Sequence, residues 1–212
     1  VTGPAYEPIP PGSPSPLGPF VGPPQVRGAV LRTLARWGPF YVAEAARQTG
    51  LELPGFNDWV NEPMESPETV GEAPRYVVAV PGTLGLPERH GNGMVRAAWD
   101  VQIACWMWGQ HYQETQDRLT TYAVALRQLM IQQPSLGGFA EATTWRAERY
   151  AEVAAASYRT WGQANLQFAV TVREVVNAFA GPRDVPDDPT RPPVPDPPVT
   201  GTRIEVRAQP PA

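Results

Sequence analysis

VRAAWDVQIACWMW (Val95–Trp108) decides the fold. Val95, Ala97, Trp99, Val101, Ile103, Cys105 and Met107 occupy alternate positions, with Arg96, Asp100 and Gln102 between them. Successive side chains of an extended chain point to opposite faces, so this alternation predicts a long strand with one apolar face. Trp106 and Trp108 break the polar half of the pattern. Two readings of them follow: they lie under another element, or they form an exposed aromatic patch that marks a contact site.

Toward the C-terminus, Leu119, Tyr122, Ala123, Leu126, Leu129 and Met130 recur at spacings of three and four. They predict a helix over residues 110–133, stopped by Pro134 and by Gly137-Gly138. ATTWRAERY (142–150) reads as a strand with mixed faces. In residues 163–173, Leu166, Phe168, Val170 and Val172 alternate with Gln163, Asn165, Gln167, Thr171 and Arg173, which predicts a second one-sided strand. Residues 174–179 are expected to close it with a helical turn.

Toward the N-terminus, RYVVAV (75–80) is apolar on both faces and predicts a short central strand, with PGTLGLPERHGNG (81–93) as a loop. Residues 51–74 hold Glu52, Asp58, Glu62, Glu65, Glu68 and Glu72 and no base. Charge runs of this kind are most often solvated; the alternative is a negative surface facing a partner or DNA in transit. Before this loop, Val26, Ala29, Val30, Thr33, Leu34 and Trp37 form the apolar face of a helix. Gly38-Pro39 is expected to end it. Pro39 is also placed to open a second helix running through Thr49, with Gly50 as its C-cap.

The ends of the chain are a different material. Of 27 prolines, nine lie in residues 1–24 and ten in 181–212. Proline fixes φ and removes an amide donor, so both segments read as extended arms. The sequence thus divides into an N-terminal arm (1–24), a folded part (25–182) and a C-terminal arm (183–212). Within the last arm, Thr202–Arg207 alternates like a strand, with Ile204 and Val206 on one side. A lone strand needs an edge to pair with, in this subunit or another.

Composition narrows the function. Net charge is −4, which disfavours phosphate-backbone binding as the main task. All 17 basic residues are arginine, a bias best explained by a GC-rich genome. No stretch is long and apolar enough to span a membrane, and no basic segment followed by an apolar run suggests a signal peptide. Cys105 is the one cysteine, so neither an internal disulfide nor a multi-cysteine metal site is expected. As a nucleophile it would need His90 or His111 held beside it. Its place on an apolar strand face reads instead as a small hydrophobe. His111 and Glu114 share a helix face, but two ligands make no metal site. Gly91-Asn92-Gly93 is a turn signal without the strand–loop–helix context of a phosphate loop. Arg146, Glu148 and Arg149 alternate along one strand, as a solvated face or as an intersubunit ion-pair surface. No catalysis and no cofactor are expected.

The order of elements resembles tail terminator proteins of long-tailed, siphovirus-type phages, particularly those of actinobacterial hosts. The resemblance rests on VRGAVLRTLARWGPFYVAEAA, RYVVAVPGT, VRAAWDVQIACWMWG, RLTTYAVALRQLMIQQPSLGG, WRAERY and QANLQFAVTVREVVNAFAGP, and covers residues 25–182. It implies an α+β subunit with an antiparallel or mixed β-sheet flanked by helices; the Pro-rich arms lie outside the resemblance. It further implies a homo-oligomeric, hexameric ring in the virion, at the head–tail junction, assembled in the host cytoplasm. The ring would stop polymerisation of the tail tube protein and dock the head-completion (stopper) protein, with DNA passing through the lumen unbound. Trp106, Trp108, Arg146, Arg149, Ile204 and Val206 are then candidates for subunit or partner contacts, and Glu62, Glu65, Glu68 and Glu72 for the lumen or a ring face. The competing readings are another head–tail connector, either a β-rich stopper or a largely helical adaptor, and an enzyme motivated only by Cys105 and the histidines.

Overall fold

The computed structural model describes residues 21–56, 74–91, 93–151, 154–156 and 159–177. The chain divides into two units, Val1–Gly181 and Pro182–Ala212. The second unit lies outside the described residues, as do the strand expected over Thr202–Arg207 and most of the acidic segment 51–74.

The alternating stretch forms β3 (Met94–Gly109). Val101, Ile103 and Cys105 are fully buried, while Gln102 among them is exposed. β3 pairs antiparallel with β6 (Arg159–Asn177), which sets Trp99 opposite Val170, Val101 opposite Phe168 and Ile103 opposite Leu166. Directly opposed residues share a sheet face, so the two apolar rows join into one apolar surface. Along its other side β3 pairs with β1 (Arg75–Thr83) and the two-residue β2 (Glu88–Arg89). β6 likewise pairs with β4 (Ala142–Tyr150) and β5 (Ala154–Ala156). All pairings are antiparallel, in the order β1-β3-β6-β4.

Two helices cover the apolar face, α1 (Pro23–Thr49) and α2 (Tyr112–Gln132). Val26, Val30 and Leu34 of α1 and Leu119, Tyr122 and Leu126 of α2 share one core with Tyr76, Ile103 and Phe168 of the sheet. Each large side chain buried there contributes about 1.5–3 kcal/mol. The fold is α+β, with an antiparallel sheet and helices on one side of it.

Four local expectations are corrected. Gly38-Pro39 does not end the first helix, because α1 continues through Pro39 to Thr49. Buried positions keep stepping by three or four across the proline, from Leu34 to Gly38, Val42 and Ala45. Packing on that face outweighs the one hydrogen bond that proline cannot donate. Gly38 helps, since proline disfavours helical geometry before it partly by striking the preceding Cβ, which glycine lacks. The helix does end on Gly50, in left-handed geometry (φ 70°), whose N–H donates to the Ala46 carbonyl.

β1 is an outer strand rather than a central one. Tyr76 and Val78 are buried under the helices, but Ala79 on the opposite face is exposed. Small apolar residues therefore mimic a two-sided burial that does not exist. The segment 81–93 is not wholly loop, because β1 runs on to Thr83 and Glu88–Arg89 pairs with Val95 and Arg96. Finally, residues 174–177 continue β6 instead of turning into a helix, with Val176 opposite Val95 and Asn177 opposite Met94. The start of β3 offers backbone groups that a helical turn would leave unpaired.

One ionic node ties the Met94 end together. Glu141 accepts from Arg173 Nη2 at 2.6 Å and from Arg96 Nε at 2.9 Å, and Arg96 Nη1 reaches Glu88 at 3.2 Å. The hydrogen bond from Arg173, followed by the charges of Arg173 and Arg96, holds the Glu141 carboxyl down at about 2.

Candidate functional site

The one-sided placement of the helices leaves the second sheet face uncovered by any described helix. Its residues follow from the register. Asp100, Gln102, Ala104, Trp106 and Trp108 of β3 lie opposite Ala169, Gln167, Asn165, Gln163 and Trp161 of β6. The middle of this face is a polar ladder. Asp100 accepts one amide hydrogen bond from Gln102 and one from Gln167, each at 2.8 Å, and Gln163 donates to Asn165 at 2.8 Å. These bonds fix side chains that the strand pattern alone shows only as polar. The sequence signal for them is the matching outward positions of the two long strands, which becomes visible only when the register is known.

The Gly109 end of the same face is aromatic. Trp108 sits directly opposite Trp161 and is only 7% exposed. The exposed-patch reading therefore fails for Trp108, which is covered. Trp106 is half-buried between Arg75 of β1 and Gln163 of β6.

The two outer strands bound this face, and each carries an irregularity. The β1 register shifts between Ala79 and Gly82, around Pro81, and that of β4 shifts between Trp145 and Ala147. Bulges and proline at outer strands limit indiscriminate strand pairing. The β4 shift also undoes the expected alternation of charges. Glu148, opposite inward-facing Leu166, turns to the helix side and accepts from Arg127 of α2 at 2.7 Å. Arg149 is opposite Asn165 on the uncovered face, and Arg146 is the extra residue of the bulge. Both arginines are exposed, and neither has an ion-pair partner among the described residues. The other candidates, Glu62, Glu65, Glu68, Glu72, Ile204 and Val206, lie outside the described residues.

The residues considered for chemistry do not converge. His111 is the N-cap residue of α2, and Glu114 is engaged with Arg118 at 2.9 Å. Among the described residues no group of three or more His, Cys, Asp or Glu could hold a metal ion, and no helix is long and apolar enough to cross a membrane. Cys105 is fully buried opposite Tyr76, and burial pushes its thiol up to about 12. The thiolate is the reactive form. At pH 8 the folded protein is therefore expected to react with a maleimide or a disulfide reagent more than about a hundredfold more slowly than the denatured chain. Equal rates in the two states would contradict this burial.

No protein-family model matches the chain, and no curated protein is similar enough to it to match.

Proposed function

We propose that this chain is a structural subunit of a siphovirus-type phage tail, forming a hexameric ring at the head-proximal end of the tail tube. The ring ends tube polymerisation and presents a docking face to the head-completion protein. The observation that carries the reading is the one-sided sheet: among the described residues both helices occupy one face, and the polar ladder, half-buried Trp106 and two outer strands are left for neighbours. Such a unit suits a wall completed by further copies. The sequence resemblance supports the same assignment, and a net charge of −4 suits a lumen through which DNA slides without being gripped. The location that follows is the virion, at the head–tail junction.

The test is assembly with purified tail tube protein. Tubes elongated in the presence of this chain are expected to stop growing and to carry a six-fold ring at one end in negative stain. Tubes that elongate at an unchanged rate with bare ends would reject the reading.

A further inference from the structure

The outward face of α1 is charged in a way that the fold itself does not use. Arg32, Arg36, Phe40, Ala43 and Arg47 recur at spacings of three and four and are all exposed, so they form one stripe. Phe40 is 65% exposed, and the neighbouring Trp37 is 37% exposed. Arg36 stacks over Trp37 at 5.2 Å from the ring centroid, and Phe40 meets Tyr41 edge-on at 5.6 Å. Exposed aromatics joined to arginines are the composition of a contact surface rather than of a solvated helix face.

The arginines of this stripe divide into two kinds. Arg47 is satisfied by Glu44 at 2.6 Å, as Arg118 and Arg127 of α2 are by Glu114 and Glu148. Arg32 and Arg36 have no acidic partner among the described residues, and α1 contains no acid before Glu44. The complementary charge exists elsewhere in the sequence. Residues 57–73 carry Asp58, Glu62, Glu65, Glu68 and Glu72 with no base, together with the apolar Trp59, Val60 and Met64. An acidic, partly apolar segment is the chemical complement of a basic, aromatic helix face.

We infer that the Arg32–Arg36–Trp37–Phe40 face of α1 is a docking surface for the acidic segment 57–73 of a second copy of this chain. A head-to-tail contact of this kind, between two different surfaces of one subunit, is the type that closes rings. The inference rests on the ring reading in one respect, that this chain meets further copies of itself.

The test has two arms. In the first, a labelled synthetic peptide of residues 57–73 is titrated into the full chain and followed by fluorescence anisotropy. Saturable binding is expected, weakened about tenfold or more by the double substitution R32E/R36E and by raising salt to about 1 M, where screening shortens to about 3 Å. R146E/R149E is expected to leave peptide binding unchanged. Failure of the peptide to bind, or binding indifferent to Arg32 and Arg36, overturns the inference whatever becomes of the ring. So does binding of a short DNA duplex through these arginines when the peptide does not bind. In the second arm, ring formation on tail tubes is compared between the wild-type chain and R32E/R36E. Loss of rings in the variant, with its circular dichroism unchanged, supports the inference. Rings that persist in the variant overturn it and leave the ring reading intact.

Discussion

Replacing Phe168 by alanine is expected to cost about 3–5 kcal/mol of folding stability, read as a lower urea midpoint at unchanged slope. Phe168 lies in the middle of β6, fully buried, with Val101 opposite it on β3 and Trp145 opposite it on β4. It fills the layer between the sheet and the helices, and the paired strands on either side limit how far the gap can collapse. A domain of this size has roughly 5–15 kcal/mol in total, so the variant would be marginal. Trp145, its neighbour across the strands, is 44% exposed and packs its ring on Arg127 at 4.9 Å. Trp145→Ala loses much less burial and is expected to cost under about 1.5 kcal/mol. Comparable losses in the two variants, or a Phe168→Ala loss below about 1 kcal/mol, would contradict the core described above.

This contrast shows what the sequence could and could not reveal. Phe168 stands in a strand whose apolar residues alternate strictly, so its inward orientation was legible from spacing alone. Trp145 sits in ATTWRAERY, where no period dominates, because the register shift after Trp145 changes which residues face inward. A bulge is set by the partner strand and leaves little local trace. Pro39 misleads for the opposite reason. Its local signal is strong, but tertiary packing of Gly38, Val42 and Ala45 overrides it. The same holds for residues 174–177, whose strand geometry is imposed by the start of β3.

The candidate surface was less legible than the fold. Trp106 and Trp108 look alike in sequence, yet Trp108 is covered and Trp106 is half-buried. Burial on the face away from the core depends on which neighbours cross it, and periodicity carries no information about that. The Asp100 ladder escapes sequence reading because Gln167 is 67 residues away from its acceptor. The Arg32–Arg36 stripe had a readable signal, since both fall outside the apolar set of the first helix. What the sequence lacked was the knowledge that neither forms an ion pair among the described residues.

Gly109→Ala is the second large effect expected, and its cause is local. Gly109 ends β3, and a Cβ built on it would overlap Thr115 Oγ1 in the first turn of α2. Thr115 is fully buried, and its hydroxyl donates to the His111 carbonyl at 2.9 Å, so it cannot swing away without losing that bond. The φ of Gly109 is not in the left-handed region, which leaves overpacking as the cost, about 1–3 kcal/mol. Gly82→Ala is the control. It too lies in a strand without positive φ, but its added Cβ meets nothing within 4 Å, so a change within about 0.5 kcal/mol is expected. The decisive measurement is a double-mutant cycle by urea unfolding. Thr115→Ala alone removes a hydrogen bond and is expected to destabilise by about 1 kcal/mol. In the Gly109→Ala background the same change relieves the overlap and is expected to restore stability. That reversal of sign is what a steric cause requires, and simple additivity would exclude it. The consequence reaches the candidate surface, because Gly109 follows Trp108 directly. A turn forced open at Gly109 would shift the tryptophan end of the sheet. On the ring reading proposed above, Gly109→Ala is expected to impair capping of tail tubes more than its stability loss alone accounts for, and Thr115→Ala to recover both together.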